Sequence, residues 1–272
     1  MAADIRYDQW DPPTALGGTV RCVWALKGRA DGTTQPIVSD GCVELVLNLA
    51  DPFEHVRAHG AVVQPLLMVV GPTARPTIVR PTGVIDIIGI RLQPWASARV
   101  LGVSMRTLRD RYLPLGDVVR GPLGELAGRL RVQPGDEMRL ATVFDALART
   151  LPALEPGIAQ RAVEFVSSAT EVPSVRALAN QLGCSARTVQ RVFADHVGLT
   201  PKTLLRVVRV QRALGMALGE PSTRWSMIAA RAGYHDQSHF VRDFRSLVGC
   251  SPSQFRPDED SLTATFVEVP AS

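Results

Sequence analysis

Apolar and polar residues alternate through residues 17–92, and this period of two is typical of β-strands with one buried face. One run places Val20, Cys22, Trp24 and Leu26 on a common face. Pairs such as Asp-Gly and Gly-Pro separate the short runs and indicate turns. The pattern predicts roughly seven antiparallel strands in a cupin-like sheet or small barrel, which would enclose a pocket.

Beyond Pro94 the period becomes helical. Residues 137–151 carry Leu140, Phe144 and Leu147 at three- and four-residue steps, which predicts an amphipathic helix. This apolar stripe has two interpretations. It packs on the chain's own sheet, or it forms a homodimer interface from the same helix of two subunits.

The chain from Leu178 to Phe255 contains one pattern twice: a helix with small residues, a glycine, a turn, and a helix with a basic residue before an aromatic one. Each copy predicts a helix-turn-helix unit, and the tandem predicts one polypeptide that contacts two adjacent major-groove segments of duplex DNA. The first copy has Leu178, Ala179, Gly183, Arg191, Phe193, Gly198 and Pro201, and the second has Ile228, Ala229, Gly233, Arg242, Phe244, Gly249 and Pro252.

In the first copy, a helix over 185–197 begins at Ser185, a good capping residue. Its outward side carries Arg187, Gln190 and Arg191. Arginine can donate two hydrogen bonds to guanine, and glutamine can pair with adenine in the same way. In the second copy Asp236 is the predicted cap, and the outward residues are Gln237, Ser238, His239 and Arg242.

A continuous helix is predicted between the copies, from Thr200 to Leu218. Lys202, Arg206 and Arg209 fall on one side of it. They are candidate phosphate contacts on a rigid spacer that would hold the two recognition helices about 34 Å apart, one turn of B-DNA. The alternative is a solvated face, with Arg209 tied into the core.

Composition supports a division into domains. The 272 residues are 46% apolar, enough for two separate cores. The net charge is +2 over residues 1–151, +6 over 152–256 and −4 over 257–272, so positive charge is concentrated where the repeat lies. With Pro152, Pro156 and Gly157 as the boundary, the predicted fold is α+β. Its parts are a 1–151 sensor domain (β-rich 17–92, helical 94–151), an all-α tandem helix-turn-helix domain over 156–256, and a flexible acidic tail over 257–272.

The sequence has none of the motifs that usually indicate metal binding, nucleotide binding or hydrolysis. The four cysteines have no metal-finger spacing, which favours reduced thiols in the cytoplasm, and no signal peptide or membrane span is recognised. His55 and His59 lie in a strand and turn region, where side chains four apart do not converge on a metal. No nucleotide-binding glycine motif or nucleophile elbow occurs. We therefore expect no metal, no cofactor and no catalytic residue.

The second copy resembles the DNA-binding domain of the AraC/XylS family of bacterial transcription regulators. The resemblance rests on Ile228-Ala229, the run from Gly233 to Phe244, the run from Gly249 to Pro252, and Arg256. Residues 40–48 and Gly71-Pro72 are similar, more loosely, to the sensor domain that precedes this module in one branch of the family.

The resemblance implies a DNA-binding transcription regulator whose outward residues in both second helices contact bases. It assigns that role to Arg187, Gln190, Arg191, Gln237, Ser238, His239 and Arg242, and it makes Ser185 a phosphate contact or a cap. The implied partners are double-stranded DNA, RNA polymerase, a small-molecule effector of unknown identity at the N-terminal domain, and a second copy of the chain. Tyr234, Trp225 and Val248 depart from the family pattern and indicate repacking.

Two questions stay open at the level of sequence. The first question concerns four residues on the predicted strands: Trp24, Cys22, Glu44 and Asn48. Either they line an effector pocket, or they belong to an ordinary core and its exposed face. The second question concerns the function of the whole chain. Three functions remain: a DNA-binding regulator, a cupin-like enzyme with a structural helical domain, and an adaptor whose helical domain binds protein.

Overall fold

The computed structural model describes residues 5–119, 121–133, 135–151, 157–169 and 173–256. The predicted α+β fold is confirmed, with a β-rich part, a helical connector and a C-terminal all-α part. The predicted boundary at 152–156 and the tail at 257–272 lie outside the described residues. No helix within the described ranges is long and apolar enough to cross a membrane.

Within the described ranges, ten strands form two antiparallel sheets. The strands are β1 (Ile5–Trp10), β2 (Val20–Arg29), β3 (Gln35–Ile37), β4 (Val43–Asn48), β5 (Phe53–Arg57), β6 (Gly60–Val63), β7 (Leu67–Val70), β8 (Thr77–Pro81), β9 (Val84–Leu92) and β10 (Tyr112–Pro114). One sheet has the order β1-β2-β9-β4-β7-β10 and the other β3-β8-β5-β6.

The two sheets face each other across a shared apolar cluster. Trp24 of the larger sheet lies in that cluster with Phe53 and Val79 of the smaller one. Trp24 is paired in register with Gly89 on β9. A Cβ at Gly89 would lie 1.9 Å from the indole, so only glycine lets the ring lie across this strand.

The opposite face of the larger sheet packs on helices. These are α1 (Ser97–Leu101), α2 (Met105–Leu108), α3 (Leu115–Val118), α4 (Pro122–Arg131) and α5 (Asp136–Thr150). A short 3-10 helix, Thr14–Leu16, lies between β1 and β2. On α5, Leu147 is fully buried, and Leu140 and Phe144 pack against the same core. The stripe therefore packs on the chain's own sheet, the first of its two interpretations.

The C-terminal part consists of α6 (Ile158–Ser168), α7 (Val175–Leu182), α8 (Ala186–Val192), a π-helical turn (Phe193–Val197), α9 (Pro201–Gly219), α10 (Trp225–Arg231) and α11 (Gln237–Val248). Helix α9 is shared by two cores. Its Leu205 packs with the cluster of α6 to α8, while Val210 and Leu214 pack with that of α10 and α11. Thr200 caps it as predicted, with its hydroxyl accepting from the Thr203 amide at 3.1 Å.

Candidate DNA-binding surface

The first helix-turn-helix unit consists of α7, the turn at Gly183, and α8 with its π-helical extension. Gly183 ends α7 in the left-handed conformation, at φ 64°. Ser185 then caps α8, because its hydroxyl accepts a hydrogen bond from the Thr188 amide at 3.1 Å. The predicted single helix over 185–197 is therefore α-helical only to Val192. The wider turn that follows keeps Phe193 buried.

Helix α8 separates its apolar and polar sides. Val189 and Val192 face the core, at 0% and 6% exposure. The residues predicted from the sequence to contact bases all lie on the exposed side: Arg187, Gln190 and Arg191.

The second unit repeats this arrangement with α10 and α11. The Asp236 carboxylate caps α11 by accepting from the Ser238 amide at 2.8 Å. Phe240 and Phe244 are buried, at 1% and 0% exposure. Of the predicted contact residues, Gln237, Ser238 and Arg242 are exposed and His239 is partly exposed.

An aromatic cluster holds the second unit together. The ring of Trp225 lies 6.0 Å from Phe240, 5.2 Å from Phe244 and 6.1 Å from Phe255, in tilted and edge-on arrangements. Such geometries stabilise aromatic pairs beyond the area they bury. The departure from the family pattern at Trp225 is therefore accommodated by repacking.

The basic residues of α9 do not form one exposed stripe. Lys202 is exposed. Arg206 donates to Asp243 of α11 through Nε at 2.7 Å. Arg209 is 5% exposed, and its guanidinium lies 5.5 Å from the centre of the Tyr234 ring. Arg209 is thus tied into the core, as in the alternative interpretation, while Arg206 is partly exposed and paired and Lys202 is exposed.

Asp243 is a buried, paired carboxylate that sequence reasoning missed. It is 4% exposed and lies between Arg206, the Tyr234 hydroxyl (3.4 Å) and His239 Nε2 (3.4 Å). The sequence pattern does indicate this residue, since Asp243 falls on the apolar side of α11 beside Phe240 and Phe244. A carboxylate at such a position is costly to bury unless it is paired. Asp243 therefore fixes the second recognition helix against α9.

A cavity of about 310 Å³ lies between the two sheets of the N-terminal part. Trp24, Glu44 and Asn48 line it, whereas Cys22 is buried in the adjacent cluster. Sequence reasoning missed Arg91, which is 2% exposed. Its Nε lies 2.8 Å from Glu44 Oε1 and 2.9 Å from Asp40 Oδ2.

These features define the class of the C-terminal part. Two capped helices expose arginine and amide side chains, and a shared helix joins the units that carry them. This is a tandem helix-turn-helix DNA-binding domain. Residues 178–258 match a family described as a helix-turn-helix domain, and residues 8–114 match a family described as a domain of unknown function (DUF6597). The C-terminal part is thus similar to the helix-turn-helix domain of AraC-type regulators.

Two curated proteins are similar in sequence. The probable thc operon regulatory protein of Rhodococcus erythropolis is 29% identical over 186 residues, which cover 67% of this chain and 52% of that protein. The HTH-type transcriptional activator RhaS of Escherichia fergusonii is 33% identical over 91 residues, 34% of this chain and 32% of that protein. The chain thus spans about half the length of the first and about a third of the second.

Among solved structures, ToxT from Vibrio cholerae with a bound unsaturated fatty acid is similar at 10% sequence identity. The superposition covers 93% of this chain and 95% of that one, with a TM-score of 0.49.

Proposed function

We propose that the protein is a sequence-specific DNA-binding transcriptional regulator that contacts two adjacent major-groove segments. The observation that carries the proposal is the exposure of the same side of both recognition helices. Arg187 and Gln190 on α8, and Gln237 and Arg242 on α11, are exposed while the opposite sides of both helices are buried.

The contact set follows from side-chain chemistry. Arg187, Gln190, Arg191, Gln237, Ser238, His239 and Arg242 are the proposed base contacts, since their donors and acceptors match base edges. Lys202 is the proposed phosphate contact on α9, because it remains exposed. Arg206 and Arg209 are assigned to the support of α11 instead.

The remaining parts of the proposal concern partners. The N-terminal domain binds an effector, and the effector changes DNA affinity because it prefers one arrangement of the domains over another. RNA polymerase and a second copy of the chain are further proposed partners. The protein acts in the cytoplasm, and no catalytic step is proposed.

The test begins with selection of bound duplexes from a random pool by the full chain. We expect two enriched motifs one helical turn apart. Arg242→Ala should then weaken binding to the selected duplex by about 1–3 kcal/mol and relax base preference in one motif only. Arg131→Ala, an exposed arginine of α4, is the control and should leave binding unchanged. Uniform weakening over all sequences would make Arg242 a phosphate contact, and a selection that enriches nothing would refute the proposal.

A further inference from the structure

The cavity between the sheets has mainly apolar walls contributed by both sheets. Trp24, Val46 and Ile87 line it from the larger sheet, and Phe53 and Val79 from the smaller one. A concave site with such walls gains most from a ligand that buries apolar surface.

The charged groups in the wall are neutralised within the protein. Arg91 is paired with both Asp40 and Glu44. Arg21, which donates to Cys42 Sγ, supplies a second positive charge, and against the effect of burial Arg91 and then Arg21 hold the pKa of Asp40 below its ordinary value. Burial, and then the nearby Arg57, hold the pKa of His55 below its ordinary value, which disfavours the charged form of this ring. The lining arginines Arg75 and Arg111 are exposed to solvent. A charged ligand would lose its hydration in the interior without gaining an uncompensated counterion there.

One segment of the wall also contacts the DNA-binding domain. Val38, Ser39, Asp40 and Cys42 line the cavity. On the other side, Gln211 of α9 donates to the Ser39 carbonyl at 2.9 Å. At Gly41, where φ is +80°, a Cβ would lie only 3.1 Å from Leu204 Cδ1. Because Asp40 is paired with Arg91 on the cavity side, residues 38–42 connect the cavity to α9 directly.

We infer that the cavity binds a small, uncharged, mainly apolar molecule, and that residues 38–42 transmit its occupancy to α9. The second half of this inference rests on the proposed function, because α9 carries both helix-turn-helix units. The first half does not.

Two fluorescent probes that differ by one charge test the ligand class. N-phenyl-1-naphthylamine is neutral, and 8-anilinonaphthalene-1-sulfonate has the same rings with a sulfonate. We expect saturable binding of the neutral probe to the full chain, with at least tenfold weaker binding of the anionic one. Equal or tighter binding of the anionic probe would overturn the assigned class.

Cavity-filling variants locate the probe. Val46→Phe and Val79→Phe fill the cavity from opposite sheets, and each should weaken the neutral probe at least tenfold. Val132→Phe, at a side chain that is 81% exposed, is the matched control. Near-ultraviolet circular dichroism identifies a variant that has not folded, and the other filling variant then decides. Unchanged probe binding in a folded filling variant would refute the site.

The link to α9 is tested with Gln211→Ala, which removes a contact to the wall segment without altering a residue that lines the cavity. We expect the dissociation constant of the neutral probe to change at least threefold, and Gln181→Ala, an exposed glutamine of α7, to leave it unchanged. Linkage requires the selected duplex and the probe to alter each other's affinity by the same factor. An unchanged constant in Gln211→Ala would refute the link, whereas a chain that binds probe but no DNA would refute the proposed function alone.

Discussion

At the scale of single residues, Asp243 fixes the second recognition helix. Its carboxylate accepts from Arg206 on α9 and from the Tyr234 hydroxyl, and it lies beside His239. Hydrogen bonds to a charged group are stronger than those between neutral groups. One buried carboxylate therefore ties α11 to α9, in addition to the apolar packing of the two helices.

Replacement of this carboxylate should destabilise the fold. For Asp243→Asn we expect a loss of about 2 kcal/mol in the free energy of unfolding, because Arg206 and Tyr234 lose a charged partner. Urea denaturation of the full chain measures it. Asp145→Asn, which affects a solvent-exposed pair with Arg149, should change the value by less than about 0.5 kcal/mol. Equal effects of the two variants would contradict the role given to Asp243.

At the level of residues, the sequence predicted which side chains of the recognition helices are exposed, but it did not predict which residues pair with the arginines of α9. The period of α8 and α11 identifies the buried side, so the exposure of Arg187, Gln190 and Arg242 follows from it. The spacing of Arg206 and Arg209 defines a common side of α9 but not what packs against it. The partner of Arg206 lies 37 residues away on another helix. Such contacts depend on tertiary packing, which periodicity does not specify.

At the scale of elements, both recognition helices begin at a side-chain cap. Ser185 accepts from Thr188, and Asp236 accepts from Ser238. Capping satisfies amides at the helix end that have no partner within the helix. The first turn of each recognition helix is thereby held in position.

Substitutions at Ser185 distinguish its role as a helix cap from a role as a phosphate contact. Ser185→Asp keeps the cap, so we expect stability within about 0.5 kcal/mol of the wild type, whereas Ser185→Ala should lose about 1 kcal/mol. If the residue also faces the DNA backbone, Ser185→Asp should bind the selected duplex at least tenfold more weakly, because the new charge repels phosphate.

The control for this prediction is Ser174→Asp at the matching cap of α7, where Ser174 accepts from Ala177. Both serines are exposed caps, but Ser174 does not begin a recognition helix. Thermal denaturation and fluorescence anisotropy give the two readouts. The same affinity loss in both aspartate variants would indicate a general charge effect.

Element-level prediction was good where apolar residues recur at every second position of the sequence. The predicted strands β2 and β4 are present, and both of their faces are largely buried, because helices cover one face of the larger sheet and the smaller sheet covers the other. Eight strands occupy residues 17–92 instead of about seven. All residues of β6 are exposed, so that strand has no alternation to detect. Strand β10 is only three residues long and exists because it pairs with the edge of β7.

At the scale of the whole molecule, the N-terminal domain packs directly on the first helix-turn-helix unit. Asp195 accepts from the Ser104 hydroxyl at 3.2 Å and lies 3.5 Å from Arg106. The backbone at Gly198 approaches Pro72 and Met105 closely. No pattern in the sequence indicated this interface, because it joins residues about ninety positions apart whose partners are fixed only in the folded chain.

Gly198→Ala should disrupt this packing. A Cβ there would lie 2.6 Å from Pro72 Cγ and 2.9 Å from the Met105 carbonyl oxygen, at a φ of +75°. Gly102→Ala is matched, with a φ of +67° and no heavy atom within 4 Å. Backbone strain should cost about 1 kcal/mol in both variants, and the overlap about 1–3 kcal/mol more in Gly198→Ala. Thermal denaturation of the full chain compares them, and equal melting temperatures would contradict the predicted overlap.

The contacts of α9 with residues 39–41 of the N-terminal domain lie on one side of the helix. Leu204, Val207 and Gln211 lie on that side, and Lys202 lies about half a turn around the axis. A duplex bound on the Lys202 side of α9 would therefore leave the contacts between α9 and the N-terminal domain in place. Under the proposed function, occupancy of the cavity would then act by changing how α8 and α11 are oriented relative to each other, without covering the surface that contacts DNA.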